Sequence, residues 1–471
     1  MSVPVDVAVV GAGPAGLAAA IGARRHGLSV AVLDEQGAPG GQIYRSIEAV
    51  ARERPQRLEA LGADYAAGAA LVAAFRACGA DYLPSTLVWR IDPDRTVFHS
   101  GPRGAGSYAA KTVVVATGAL ERPMPLPGWT LPGVLTCGGG QVLLKSADLA
   151  PTGRVYVAGS GPLLLLYAWQ LLRAGVRVQA VLETTARSNW LLALGHLPQA
   201  LRGYEYLAKG LRMLRDLRAA NIPIVRNVGG LRALGKDRLE AIEFQHRGRP
   251  RREPADLLLL HQGVVPNVNL PFSMGCERIW DPLQRCFRPV VSATGETTLR
   301  DVYVAGDGAG IAGAKAAEHA GSWCAIAIAE RLAALTAQAA ARERRALERD
   351  RAPHLSVRPF LDALYRPSQA QVAPRDDATI ACRCEEVTVG EIRALVRQGC
   401  IGPNQMKAFV RCGMGPCQGR LCGLTVVELI AEVRGVPVAN VGYYRLRSPV
   451  KPITVGEIAG IAAVTDAAVP R

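Results

Sequence analysis

Lysine is nearly missing from this chain. Of its 55 basic residues only 7 are lysine, and the arginines behind the formal net charge of +15 are spread along all 471 residues. No basic block occurs. The aromatics, 5% of the chain, are not interleaved with the arginines, which excludes a nucleic-acid track and leaves an Arg/Ala compositional bias or an acidic partner or substrate. Long hydrophobic runs are also scarce. The uncharged stretch Val155 to Leu172 contains Gly-Ser-Gly-Pro and reads as strand, turn and helix rather than a membrane span, so no transmembrane segment is expected. The apolar start runs directly into a glycine turn, which leaves no secretory signal to read. Cysteines number eleven, an odd count, and six lie between Cys382 and Cys422. That clustering argues against a disulfide framework and for a metal site in a reducing, cytoplasmic compartment.

What is abundant is glycine, 50 residues, alongside 49% hydrophobic content. Both suit an α/β protein with many tight strand–helix turns, and the length calls for two to four domains. Val5 to Val10 reads as a buried strand, followed by a glycine turn, a helix from about Ala15 to His26, and a strand from Ser29 to Leu33 that ends at Asp34-Glu35. A hairpin is expected at Leu87–Ile91 and Thr96–His99, and a further strand, Thr112 to Ala116, runs into Thr117-Gly118. The pattern then restarts with a strand over Arg154–Ala158, Gly159-Ser-Gly161-Pro, a helix to Arg173 and a strand ending at Glu183. Leu257 to Leu260 closes that repeat. Asp301 to Ala305 leads into Gly306-Asp307-Gly308 and a helix over about Ala314 to Leu332. An Ala/Arg/Glu helical run gives way to prolines at 353, 359, 367 and 374, and the stretch reads as a linker. Thr388/Glu391 and Thr425/Glu428 each match a capping box, predicting two short helix starts.

Gly11, Gly13 and Gly16 form G-x-G-x-x-G between a strand and a helix, the context in which the motif cradles a pyrophosphate at the helix N-terminus. Asp34 and Glu35 both stand where an acidic residue would bind ribose, and spacing does not choose between them. The second turn repeats Gly159 and Gly161 but has Leu164 at the third position. With Glu183 at the end of its next strand and no arginine directly after it, it reads as an NADH site, or as a retained fold that holds another nucleotide or nothing. Cys137 has a glycine where a redox C-x-x-C would place its partner, so it reads as a small packing residue. Near the end, Cys382-x-Cys384 and Cys417-x-x-x-x-Cys422 offer four thiolates for a [2Fe–2S] cluster or, alternatively, zinc, with Cys412 and Cys400 as further candidates.

The glycine turn, Gly40-Gly41-Gln42, Ala116-Thr117-Gly118 and Gly306-Asp307 together resemble the two-dinucleotide flavoproteins of the glutathione- and thioredoxin-reductase type. That resemblance implies FAD, with Gly41, Gln42, Thr117 and Gly118 near it, Asp307 on its ribityl chain, and the helix from Ala314 aimed at the flavin ring. CRCEEVTVGEI with RCGMGPCQGRLC is similar to bacterioferritin-associated-ferredoxin-like (BFD-like) domains, in which the matching ligands are Cys382, Cys384, Cys417 and Cys422 and Cys412 lies outside. Nearly the whole chain, including GAGPAG, PGGQIY, ATGALERPMPLPGW, GSGPLLLL and YYRLRSPVKPITVGEIA, resembles the α (A) subunit of heteromeric amino-acid dehydrogenases, the group of opine oxidases, D-hydroxyproline and proline dehydrogenases and hydrogen cyanide synthase.

The implied fold is α/β: two glutathione-reductase-like Rossmann domains plus a small, mainly helical BFD-like [2Fe–2S] domain. Its expected parts are an FAD domain over 1–125 and 285–335, a second nucleotide domain over 126–284, a linker over 336–377, the cluster domain over 378–440 and a tail over 441–471. The resemblance further implies a separate β subunit of the D-amino-acid-oxidase or glycine-oxidase type that carries its own FAD and oxidises the amine. It allows a small third subunit, an FMN at the subunit interface, and ATP or NAD(H) in the second site. This chain would then relay electrons through [2Fe–2S] and FAD to a quinone or electron-transfer protein, in the cytoplasm or at the inner membrane face. A self-contained NADH-dependent reductase and a mainly scaffolding subunit are the competing expectations.

Overall fold

The computed structural model describes residues 2–466, so Met1 and the last five residues of the expected tail lie outside the described residues. The first unit grows from β1 (Val3–Val10), an apolar strand covered on both faces, which passes through the glycine turn into α1 (Pro14–Arg25) and back to β2 (Val30–Leu33). β1 lies parallel to β2, with Val7 opposite Val30, and β3 (Asp81–Leu83) extends the sheet beyond β2. The expected hairpin is present as β4 (Leu87–Ile91) and β5 (Thr96–Gly101), antiparallel to each other. The long β6 (Gly104–Val115) runs parallel to β1 along one edge. Its other edge is shared: the first half pairs with β5 and Val113–Val115 pair with the late strand Val302–Val304. That late strand brings Gly306-Asp307 back beside the first glycine turn, although some 190 residues of other structure intervene (from Val115 to Val302).

The chain leaves this unit through β7 (Ala119–Glu121) and re-enters it through a strand that pairs with β7. Between them lies the second unit. β8 (Val134–Thr136) feeds α2 (Cys137–Ala147), β9 (Val155–Ser160) feeds α3 (Pro162–Arg173), and β10 (Val178–Glu183) precedes α4 (Arg187–Leu194). With β11 (Ile224–Arg226), the meander β12 (Gly229–Leu234), β13 (Ala241–His246) and β14 (Arg249–Pro254), and β15 (Leu257–Gln262), the parallel sheet order is β11-β10-β9-β15-β8. β16 (Val264–Pro266) then pairs antiparallel with β7, Ala119 opposite Pro266, so the two crossings between units form one ribbon. The uncharged Val155–Leu172 stretch is the strand–turn–helix unit expected of it, and among the described residues no helix is long and apolar enough to cross a membrane.

The stretch 336–377 is not an open linker. Thr336 caps α6 (Ala337–Ser356), which packs on α5 (Ala314–Arg331) and pairs Arg344 with Glu330. α7 (Arg358–Leu364) follows, its Phe360, Ala363 and Leu364 buried with Ala193 of α4. Asn189 ties this corner down by donating to the carbonyls of Leu364 (3.0 Å) and Arg366 (2.8 Å). Pro359 falls in the first turn of α7, where no intrahelical N–H is needed, and Pro353 lies near the end of α6, inside the helix.

The cysteine module contains α8 (Val389–Arg397), α9 (Pro403–Val410) and α10 (Gly423–Arg434). The Thr388/Glu391 capping box forms, with Thr388 N–H donating to Glu391 at 2.8 Å and Glu391 N–H to Thr388 at 3.2 Å. The second box does not. α10 starts at Gly423, so Thr425 and Glu428 lie inside it and are buried, and Glu428 accepts two bonds from Arg285, at 3.0 and 2.6 Å. Arg285 also donates to Gln369 at 2.8 Å, and Trp129 of the second unit donates to the Ile380 carbonyl at 2.8 Å. The module is thereby seated on both dinucleotide units.

Glu428 is 2% exposed, so removing it strands a buried guanidinium. Glu428→Ala is expected to lower stability by about 3–5 kcal/mol and to expose the 367–380 connection to limited proteolysis. A variant as stable and as resistant as the parent would contradict the clamp.

Candidate functional site

At the first glycine turn the backbone leaves no room for side chains. A Cβ at Gly16 would lie 1.8 Å from the Gly11 carbonyl oxygen, and one at Gly11 2.6 Å from the Ala116 oxygen. Asp34 turns inward. It is 5% exposed and accepts from Ala12 N–H at 2.5 Å and Gln36 N–H at 2.8 Å, while burial pushes its carboxyl above the ordinary range. Glu35 turns outward and pairs with Lys451 of the tail. The Gly40–Gly41 loop folds over the turn, with Gly40 N–H on the Ala12 carbonyl at 2.8 Å. Lys145 of α2 reaches across from the second unit to the carbonyls of Gln42 (3.1 Å) and Ile43 (2.9 Å). Thr117 donates to the Asn267 carbonyl at 3.2 Å, and Asn267 N–H to the Gly118 carbonyl at 2.9 Å. Asp307 accepts from Ala312 and Gly313 N–H, at 2.8 and 2.9 Å, immediately before α5. Gly11, Gly13, Gly16, Asp34, Gly41, Gln42, Thr117, Gly118 and Asp307 therefore gather around the C-terminal ends of the first sheet's strands, the side on which such folds bind dinucleotides.

In the second unit Gly159 and Gly161 form the same kind of turn, and Leu164 is buried in the core between β9 and α3. Glu183 faces Arg226, whose Nε lies 3.4 Å away. The sequence shows no arginine after Glu183 because this one arrives from the neighbouring strand, in register with it. Sequence reasoning also missed the contact between Glu121 and His261, 140 residues apart, at 2.6 Å. Cys137 is fully buried, as a packing residue should be.

Five cysteines converge in the C-terminal module. The sulfurs of Cys382, Cys412 and Cys422 lie within 4.8 Å of one another. Cys417 contacts both Cys422 and Cys384, which extends the group to the four thiols singled out by spacing. Cys382 is pulled down to about 2, first by Cys412 and Cys422, with Gly413 and Glu385 N–H groups assisting. Cys417 is drawn down to about 5, first by Cys422, with help from Leu421 and Gly419 N–H groups. Cys412 is pushed up to about 12, chiefly by Cys382. The fully buried Tyr444 hydroxyl donates to Cys412 at 3.7 Å and lies 4.0 Å from Cys422. Cys400 stands apart, its thiol on the Gly402 carbonyl. Soft thiolates braced by backbone N–H donors are a donor set that fits an iron–sulfur centre.

Two dinucleotide folds in series, joined by a ribbon and followed by a thiol-rich module, define a dinucleotide-binding flavoprotein. The chain belongs to the pyridine nucleotide-disulphide oxidoreductase family, which matches residues 5–329, and within it to the group that includes the opine oxidase A subunits. Residues 380–461 match the sarcosine oxidase A3 domain, a match that runs from the cysteine module into the tail. The opine oxidase A subunit of Agrobacterium tumefaciens (strain Ach5) is 45% identical over 463 residues, covering 96% of this chain and 91% of that one. Its counterpart in Rhizobium meliloti (strain 1021) is 43% identical over 459 residues, covering 97% and 98%. The HcnB subunit of hydrogen cyanide synthase from Pseudomonas protegens is 31% identical over 94% of this chain and 95% of that one. Among solved structures, L-proline dehydrogenase from P. horikoshii superposes with a TM-score of 0.71 at 20% identity, covering 97% of this chain and 80% of that one. Thioredoxin reductase from T. acidophilum superposes with a TM-score of 0.51 at 20% identity, covering 70% and 99%. These two structural likenesses concern the fold and bear out the expected dinucleotide-binding α/β architecture, while the sequence relatives bear out the subunit group expected from the motifs.

Lys145 offers a test of how the two units are held together. Burial draws its ammonium down to about 7 from 10.5. Between those values the unfolded chain binds the additional proton, so this group's contribution makes stability rise with pH, by up to about 1.4 kcal/mol per pH unit. The rise starts near pH 7 and ends near 10.5. Lys145→Met should flatten the rise and loosen the Gln42–Ile43 loop, seen as faster flavin loss on dilution. Denaturation midpoints at pH 7 and 9 that respond identically in the two proteins would contradict it.

Proposed function

We propose that this chain is the electron-relay subunit of a heteromeric oxidoreductase acting on amino-acid-type substrates. In this reading a partner subunit of the D-amino-acid-oxidase or glycine-oxidase type removes electrons from a carbon–nitrogen bond. The observation that carries the proposal is the convergence of thiols in a module clamped onto the dinucleotide unit by Arg285 and Glu428. The naming of relatives as subunits of opine oxidase and of hydrogen cyanide synthase supports the heteromeric assembly. FAD would sit on the first turn, with Asp34 rather than the tail-paired Glu35 toward its ribose. Cys382, Cys384, Cys417 and Cys422 would hold a [2Fe–2S] cluster, with Cys412, which lies beside Cys382 and Cys422, as the alternative ligand. When bound, the flavin supplies two-electron chemistry and the cluster one-electron chemistry. The protein's part is positional: backbone N–H groups stabilise thiolates, and the tail residues Tyr443 and Tyr444, both buried, shield them.

The partner would dock on the rim of this module, where Ile401, Phe409, Met414 and Leu421 are exposed. Beside Met414 a cleft of 340 Å³ is lined by Glu385, Arg411, Gly415 and Lys451. Apolar groups exposed this close to a redox site suit a protein interface. A second reading, a self-contained NADH reductase, draws on the intact parallel βαβ turn at Gly159–Gly161 with Glu183 at its end. Under the first reading that site holds ATP or NAD(H) without passing hydride.

Anaerobic titration of the purified chain separates the two readings. Under the relay reading, flavin absorption and the cluster EPR signal stay oxidised with NADH and reduce with dithionite. Rapid reduction by stoichiometric NADH would overturn it. Cys382→Ser and Cys417→Ser are expected to lose iron and the visible cluster bands. Cys412→Ser should retain both, and iron loss there would revise the ligand set.

A further inference from the structure

Each dinucleotide unit packs its glycine turn against a third strand, and the two turns differ at His261. In the first unit the Gly11 Cα packs against the carbonyl of Ala116, and in the second the Gly159 Cα packs against the carbonyl of His261. The position that is alanine beside the first turn is therefore histidine beside the second. His261 is 2% exposed. Its Nδ1 is held by the Glu121 carboxylate at 2.6 Å, and the other Glu121 oxygen accepts Gly138 N–H at 2.7 Å, which fixes the carboxylate in turn. Its Nε2 has no hydrogen-bond partner among the described residues and faces the turn, 3.1 Å from where a Cβ on Gly161 would stand. Gly161 is the residue from which α3 starts, and a twelve-residue helix presents unpaired N–H groups and the positive end of its dipole there. A buried imidazole that turns its second nitrogen toward a helix N-terminus is placed to donate to an anion bound there.

We propose that His261 is a direct phosphate ligand in the second unit, and that this site takes a nucleotide bearing at least a diphosphate. The inference rests on the nucleotide reading of that site. Glu121 occupies Nδ1, which leaves Nε2 as the ring position to donate to a phosphate oxygen. The second turn keeps Gly161, the counterpart of Gly13, for close backbone approach, and His261 adds a side-chain donor beside it. Glu121 acts through His261 and is a positioning residue.

The test is calorimetric titration of the flavin-loaded chain with ADP, and separately with NADH. Wild-type protein should bind ADP, His261→Ala should weaken it at least tenfold with flavin content unchanged, and His261→Gln, which keeps a donor near Nε2, should recover most of the loss. Glu121→Gln is the second variant, should His261→Ala fail to fold, and a several-fold weakening is expected. ADP binding of equal strength in wild type and in the His261 and Glu121 variants would overturn the assignment of His261 while leaving the nucleotide site standing. Absence of binding of either probe to wild type would overturn the nucleotide reading itself, and the assignment with it.

Discussion

The architecture depends on one close approach made twice. A strand carbonyl, from Ala116 in the first unit and His261 in the second, sits where a side chain on Gly11 or Gly159 would otherwise be. That contact is possible only for glycine, and both residues have φ in the left-handed range, +104° and +138°. It brings the helix N-terminus to the C-terminal edge of its sheet, which is what turns a strand, a turn and a helix into an anion-binding site. Around the first turn the rest of the unit is arranged accordingly: the Gly40–Gly41 loop closes over it, and the strand Val302–Val304 delivers Asp307 to its side.

The cysteine module depends on a different physics. Five thiols in one small volume cannot all be ionised side by side: Cys382 and Cys417 are drawn down, helped by backbone N–H groups from the Gly413–Leu421 loop and from Glu385, while Cys412 is pushed up by its neighbour Cys382. The module does not stand alone. A buried arginine–glutamate pair and an indole hydrogen bond join it to both dinucleotide units. A buried pair of that kind fixes a position more than it adds stability, which the proposed relay between two centres in one chain would need.

The stretch 336–377 shows how composition can mislead. Its prolines and its Ala/Arg/Glu run read as a spacer. The helices α6 and α7 nevertheless pack against α5 and α4, and Gln371 donates to the Thr184 carbonyl at 3.2 Å, beside the second nucleotide turn. Proline at a helix start and charged residues on an exposed helix face are compatible with a folded segment, and local sequence does not report the burial of Phe360 or Leu364. The Thr425/Glu428 pattern misled for the converse reason. A capping box and a buried helical ion-pair residue share the same spacing, and only Arg285, 143 residues away, distinguishes them.

By itself the sequence determined the local chemistry. Both glycine turns, the apolar strands that place them, the Thr388/Glu391 cap and the spacing of the late cysteines are legible because each depends on residues within one or two turns of the chain. Tertiary structure alone decided which distant groups meet. It set Asp34 inward on Ala12 and Glu35 outward on Lys451, brought Arg226 beside Glu183, joined Cys412 to Cys382 and Cys422, and closed Glu121 onto His261. The Arg226–Glu183 and Glu121–His261 contacts follow from parallel strand order and from the ribbon that joins the two units. Parallel neighbours are connected through long crossovers, so the residues at their C-terminal ends share an edge in space while lying far apart in the chain.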